Sequence, residues 1–232
     1  SALKIKPVVY PSNGICASTF NEELMERYGE IWGEDCLWAG YNGLYGPGLN
    51  IHRGAYGGRA FEYYSEDPML TNILGTSYVY LKHCFLNDQE QNREGICTWA
   101  NEQSIREIYL RAFQIAIEEG GAQCVMTGFN RLGAKWTGHH GFLNKVLHDE
   151  FGMTGFAVTD YYKSYMTLPA GILNGNDLPD GPNDWGNSKG QLDKYKPDAN
   201  GNGDYGELAW AMRESAHRIL YTVAQSNAMN GK

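Results

Sequence analysis

Two kinds of hydrophobic spacing alternate along the chain. Leu24, Tyr28, Ile31 and Trp38 recur near helical spacing behind Asn21, a residue type that caps helices by accepting a backbone N–H. Ile105, Ile108, Tyr109, Ala112 and Ala116 line one face of a helix over 102–119. Phe142, Val146 and Leu147 suit a short helix, and a last helix fills 205–226. Between these lie short apolar runs of strand character. Val79-Tyr80-Leu81 leads into Lys82-His83 and on through Cys84-Phe85-Leu86; Cys124-Val125-Met126 is the next, and Gly155-Phe156-Ala157-Val158-Thr159 follows. Leu44 to Ile51 resembles a further strand, weakened by its glycines and Pro47. Strand and helix patterns in alternation predict a parallel α/β architecture.

Polar residues collect where the runs stop: Asn50, His52 and Arg53; Lys82 and His83; Asn130; Asp160; Asn176 and Asp177. In a β/α barrel the carboxyl ends of all strands converge on one face, whereas a doubly wound sheet gathers fewer strand ends at one point. Five contributing segments favour a (β/α)8 TIM-type barrel. Residues 1–232 are read as a single barrel domain, partial or part of a larger two-domain protein, with a polar loop at 182–206 and a closing helix at 205–226. Only five or six strands are legible where the barrel needs eight. Pro68 to Val79 also leaves little room for a helix between parallel strands, a connection that takes about a dozen residues or more. The expectation is a barrel with pieces absent or locally altered.

Composition narrows the partners. A net charge of -8, with no run of Lys and Arg, argues against nucleic acid, because phosphate binding needs basic clusters. No window of about 18 apolar residues is present, so no membrane span is expected. The start, SALKIKPVVYP, lacks the apolar stretch of a signal peptide. The five cysteines form no CxxC pair, and Cys84 and Cys124 sit in apolar runs where free cysteine acts as a small hydrophobe. Reduced, cytoplasmic surroundings fit best, and neither a metal nor a cofactor is expected. Asp198 to Asp204 resembles the start of a calcium loop, but position 12 of such a loop holds Ala209 rather than glutamate, which leaves a solvated loop as the default. With 16 Tyr, 6 Trp and 8 Phe the chain has ample aromatic surface for sugar rings or simply for a core. Trp99, Trp136 and Trp185 are candidates for either use.

Several blocks, in one order, carry a resemblance. GPGLNIHRGAYGGRAFEYYSEDP is similar to the signature segment of glycoside hydrolase family 3, which includes many β-glucosidases; LKHCFLNDQEQNR, REIYLRAF, CVMTGFNRLG and GFAVTD agree with it as well. The resemblance implies a retaining mechanism with Asp160 as nucleophile, directly after its apolar strand. It implies that Arg59, Lys82 and His83 hold the hydroxyls of the first sugar, and that Phe129 stands where the family commonly has a tyrosine. Cys84 to Glu90 replaces the glycine-histidine-glycine motif of the family's N-acetylglucosaminidase branch. That points to a β-linked glucoside, xyloside or oligosaccharide as the partner. Two family features have no counterpart among these residues: an aspartate in an Asp-Gly-Pro context before Lys4, and the α/β sandwich that usually supplies the glutamate acid/base. The expectation is an attacker whose proton donor comes from another segment.

The residues taken alone leave other roles open. Asp160 can cap a helix after its strand. Lys82 and His83, as neighbours on a strand, point to opposite faces and reach one ligand only where the strand bends or ends. Arg59 can pair with Glu62, Glu66 or Asp67 in its own loop, and Asp177 can orient a neighbouring residue, help shape a pocket or sit in a solvated turn. If Asp160 is the nucleophile it must be ionised, and Lys82 or Arg59 beside it would favour that. The different-class alternative is a non-catalytic sugar-binding barrel remnant.

Overall fold

The computed structural model describes residues 8–72, 79–181, 191–196, 198–200 and 205–230. Its centre is a parallel four-stranded sheet in the order β1-β3-β6-β7, with β1 at Tyr80–Cys84, β3 at Cys124–Thr127, β6 at Ala157–Tyr161 and β7 at Leu178–Asp180. Spatial order follows chain order, as in a β/α barrel; a doubly wound sheet would reverse direction part-way. The fold is a TIM-barrel-type arc. Three short strands, β2 (Cys97–Thr98), β4 (Arg131–Leu132) and β5 (Lys135–Trp136), form a small separate sheet.

Period-two alternation gives the central sheet two unlike faces. Leu81, Val125 and Ala157 face the main core, where Leu110, Phe113 and Leu147 are fully buried. Burying each such side chain is worth about 1.5–3 kcal/mol. Those partners come from one helical run made of α3 (Glu102–Ser104), a π-helical turn at Ile105–Tyr109 and α4 (Arg111–Glu118), and from a second π-helical segment at Leu143–Glu150. The opposite, inner face carries Tyr80, Met126, Phe156 and Val158. The arc curls far enough that Asp180, at one edge, acts on the Tyr45 hydroxyl next to the other: burial first and then that carboxylate raise the tyrosine pKa.

The strand expected over 44–51 is instead an irregular edge. It touches the sheet through isolated parallel bridges, Leu44 to Val79 and Gly48 to Lys82, and Gly48 also bridges Tyr63. A Cβ on Gly48 would lie 2.7 Å from the Glu62 carbonyl oxygen, so glycine is needed there for the two backbones to pass. Asn21 caps helix α2 (Glu22–Trp38) as expected, its side chain accepting the Leu24 N–H at 2.9 Å. The buried stripe is not the expected one, however. Met25 and Gly29 turn inward and Tyr28 packs against the core as expected, while Leu24, Ile31 and Trp38 are exposed. Neighbouring positions on a helix lie about 100° apart, so a one-residue offset moves the stripe to another side.

Asn176 and Asp177 precede β7 rather than ending a strand, because Leu168–Leu173 forms a short helix, α5, with proline in its first turn. Asp177 neither lines a pocket nor sits in a solvated turn. Its buried carboxylate accepts from Ala157 N at 3.0 Å, Ser215 Oγ at 2.5 Å and Arg218 Nη1 at 3.0 Å. Ser215 and Arg218 belong to the long helix α6 (Tyr205–Gln225), and Arg218 also donates to Asn144 Oδ1 at 3.2 Å. One carboxylate therefore ties the start of β6 to α6. Cys84 and Cys124 are buried hydrophobes, as their runs suggested. Residues 73–78 of the Pro68–Val79 connection, most of the 182–206 loop, Trp185 and 201–204 of the calcium-like stretch lie outside the described residues; the described start of that connection makes a single helical turn, Leu70–Asn72. No described helix is long and apolar enough to cross a membrane, and no cluster of three metal-binding side chains occurs among the described residues.

Candidate active site

Lys82 and Asp160 share the inner face by simple alternation: Lys82 follows Tyr80 by two residues, and Asp160 follows Val158 by two. His83 should then point to the other side. The β1–β3 register shifts between Lys82 and Cys84, and the Lys82–His83 peptide is cis. His83 Nε2 lies 3.4 Å from Asp160 Oδ2, so its ring turns to the same side as Lys82.

His83 is 1% exposed and held on all sides. Asn50 grips its backbone, accepting from His83 N at 2.7 Å and donating to His83 O at 3.0 Å. Arg59 Nη2 donates to Nε2 at 3.0 Å. With Nε2 accepting, the ring proton falls on Nδ1, which faces the Tyr63 hydroxyl at 3.2 Å and Asn50 Oδ1 at 3.3 Å. Burial, reinforced by Arg59, Lys82 and Arg93, holds the imidazole pKa well below its usual value. His83 is a neutral, fixed ring with its unprotonated nitrogen toward Arg59.

Asp160 has two unlike oxygens. Oδ1 accepts the Tyr161 N–H at 2.7 Å, whereas Oδ2 is buried and makes no hydrogen bond. Burial raises the carboxyl pKa above the ordinary aspartate value; the Tyr161 N–H, Arg59, Arg93 and Lys82 pull the other way without cancelling it. The cations favour ionisation, as the sequence reading required, but desolvation is the larger effect.

Arg59 keeps a loop partner and still reaches the site. Its Nε donates to Glu62 Oε1, while Nη1 lies 3.9 Å from Glu90 Oε1. Lys82 Nζ stands 3.0 Å from Glu62 Oε2, and Arg93 Nη1 donates to Glu90 Oε2 at 2.8 Å. Gly58, at φ +74, lets the chain turn against Glu90, whose Cγ would be 3.0 Å from an added Cβ. Phe129 is buried, with the Arg93 guanidinium over its ring at 4.0 Å. It enters the site as the floor under Arg93. An open cavity of about 780 Å³ adjoins the network, lined by Gln89, Glu90, Asn92, Arg93, Glu94 and Ile96.

Of the aromatic platform candidates, Trp136 is core, with Nε1 donating to the Gly128 carbonyl at 2.8 Å, and Trp99 is 82% exposed. Glu90 and Arg93 were not singled out from sequence. Their three-residue spacing, repeated in Arg59 and Glu62, is the signal that marks both pairs.

The glycosyl hydrolase family 3 N-terminal domain model matches residues 3–168. A β-glucosidase of Ruminococcus albus is 31% identical over 96% of this chain and 25% of its own length. β-Glucosidase A of Butyrivibrio fibrisolvens is 35% identical over 73% of the chain and 22% of its own length. Among solved structures, β-glucosidase 3B of Thermotoga neapolitana bound to α-D-glucose superposes with a TM-score of 0.79 at 30% identity, covering 96% of this chain and 33% of that one. Its glycerol complex gives a TM-score of 0.81 at 28% identity, covering 98% and 35%. The chain thus spans about a quarter of the length of the curated relatives it matches.

Proposed function

The chain belongs to glycosyl hydrolase family 3, and we propose that it carries the sugar-binding half of a retaining β-glucosidase-type site. The observation that carries this reading is the buried Oδ2 of Asp160, without a hydrogen bond, at the end of a barrel strand and facing a neutral His83 backed by Arg59. A carboxylate with one oxygen tied to a backbone N–H and the other free is oriented for attack. Oδ2 bonds to the anomeric carbon as the glycosidic C–O bond breaks, and the leaving oxygen takes a proton from an acid. Water then releases the sugar with its original configuration. Arg59 and Lys82 donate to hydroxyls of a β-linked glucoside or xyloside.

The acid is a separate matter. A proton donor needs a pKa near the working pH and a position about 5–5.5 Å from the nucleophile. Glu62 is clamped by Arg59 and Lys82, and Glu90 by Arg93. Burial raises the Glu62 pKa, but its Arg59 hydrogen bond and Lys82 outweigh that and hold it below the usual carboxylate value. Glu62 is thus held ionised and Glu90 is engaged by Arg93, and we assign the donor to a segment beyond the described residues, in keeping with the greater length of the relatives.

Labelling the natural full-length protein with a 2-deoxy-2-fluoro-glucoside, followed by peptide mapping, tests the nucleophile. The label is expected on Asp160 and absent from Asp160→Ala; a label on another carboxylate overturns the assignment. The clamped acids also favour a second reading, sugar binding without turnover. Binding that survives Asp160→Ala, with no hydrolysis of a nitrophenyl β-glucoside by the natural protein, would establish it.

A further inference from the structure

Glu62 is the least explained member of the site, because one carboxylate serves both cations assigned to the sugar. Its Oε1 accepts from Arg59 Nε, and its Oε2 meets Lys82 Nζ at 3.0 Å. Arg59 in turn fixes His83 through Nε2 at 3.0 Å. A single acid thus stands behind all three residues that face the sugar beside Asp160.

The Glu62 backbone is held before its side chain is considered. It ends the one-turn helix Ala60–Glu62, whose first carbonyl accepts from His52 Nε2 at 2.7 Å. The Glu62 carbonyl accepts from the buried Asn13 Nδ2 at 2.6 Å, a contact from helix α1 (Asn13–Ala17). Gly48 passes so close to that carbonyl that a Cβ would stand 2.7 Å away. Three separate parts of the chain therefore fix one residue, whose carboxylate then spans the distance between Arg59 and Lys82.

We propose that Glu62 is the positioning residue of the sugar subsite, setting the spacing of Arg59 and Lys82 and limiting the positive charge that Asp160 and His83 face. The proposal rests on the glycosidase reading above and adds to it a residue that touches no substrate. Two cations without Glu62 between them repel and lose their common anchor, while the same acid also offsets part of their field at Asp160. Asp160 faces His83, Arg59, Lys82 and Arg93, with the Tyr165 hydroxyl nearby. Neutralising Glu62 leaves that surround more positive.

The test uses the natural full-length protein and Glu62→Gln, with Glu62→Asp as a charge-preserving companion. Glu62→Gln is expected to lower kcat/KM by roughly a hundredfold, the scale of a misplacement of about 1 Å. It should also move the acid limb of the kcat/KM profile to lower pH. Glu62→Asp shortens the clamp, so it should lose activity while keeping the acid limb in place. Titration with free glucose, read by calorimetry, needs no turnover and should show binding weakened at least tenfold in Glu62→Gln. Weakened glucose binding in a protein that hydrolyses nothing would keep the positioning role and sink the catalytic reading. Unchanged glucose affinity with an unmoved acid limb in Glu62→Gln would overturn the positioning role while leaving the catalytic reading intact. Wild-type protein that neither binds glucose nor turns over substrate overturns both. If Glu62→Gln fails to fold, Glu62→Asp decides by itself: wild-type kcat/KM and glucose affinity in that variant would overturn the proposal.

Discussion

Asp160 and His83 form a pair in which neither side chain has its solution character. Burial raises the carboxyl and lowers the imidazole, while Arg59, Lys82 and Arg93 push both toward their deprotonated forms. On the proposed assignment of Asp160 as nucleophile, the acid limb of kcat/KM reports its ionisation in the free enzyme and should lie above the ordinary aspartate value of about 3.9. Lys82→Met removes one of the opposing cations and is expected to move that limb further up, with kcat/KM reduced across the range. A pH profile of the natural full-length variant checks this; a limb that moves down contradicts the charge assignment. Sequence made part of the site legible, because polar residues, Lys82, His83 and Asp160 among them, collect where the apolar runs stop, and the family resemblance singled out the same three. It named Glu62 only as one of three acids near Arg59. The missing information was three-dimensional: the Lys82 ammonium meets Glu62 across 20 residues, and His83 turns toward Asp160 at a register break that no spacing announces.

Helices and strands were legible in proportion to their length and periodicity. The 102–119 helix was visible because Ile105, Tyr109, Ala112 and Ala116 share its buried face, although Ile108 turns out to be exposed and the middle turn is π-helical. The 44–51 edge misled because its apolar residues alternate like a strand, whereas the Gly46–Pro47–Gly48 segment supports only isolated bridges. Asp177 was unreadable for a similar reason. Its partners Ser215 and Arg218 lie 38 and 41 residues away, so its neighbours could not choose between a structural role, a pocket and a turn. The structure makes it a clamp between α6 and the first residue of β6. Asp177→Asn removes the charge opposite Arg218 and is expected to destabilise the protein by about 3–5 kcal/mol, the usual cost of breaking one side of a buried pair. Urea unfolding measures it, and a loss below about 1 kcal/mol would show that α6 docks without the clamp.

For the molecule as a whole, buried ionisable groups pull stability in opposite directions with pH. Asp88 is pushed up to about 7 by burial, although the Ile51 N–H and Arg53 oppose it. A carboxyl raised in the folded state costs nothing below its unfolded value of about 4; stability is then lost as pH rises toward about 7. His83, His139 and His148 are lowered, chiefly by burial, so their contribution has the reverse sign and is lost as pH falls below about 6.5. Asp88→Asn removes the first effect alone. Its urea midpoint should rise from pH 5 to pH 7 more steeply than that of the wild-type protein. Equal slopes would mean that Asp88 titrates normally in the fold.

Across the inner face, Tyr45, Tyr80 and Phe156 meet edge to face, at centroid distances of 5.0 and 5.5 Å, and Asp180 at the far edge of the sheet acts electrostatically on the Tyr45 hydroxyl. This row of rings makes the curvature of the sheet optically visible. Tyrosines held at right angles in an asymmetric, partly dry setting give near-ultraviolet circular dichroism that rings free to rotate do not. Because Tyr45 stands next to one edge and Asp180 at the other, that band follows the closing of the arc itself, whether or not a sugar occupies the site.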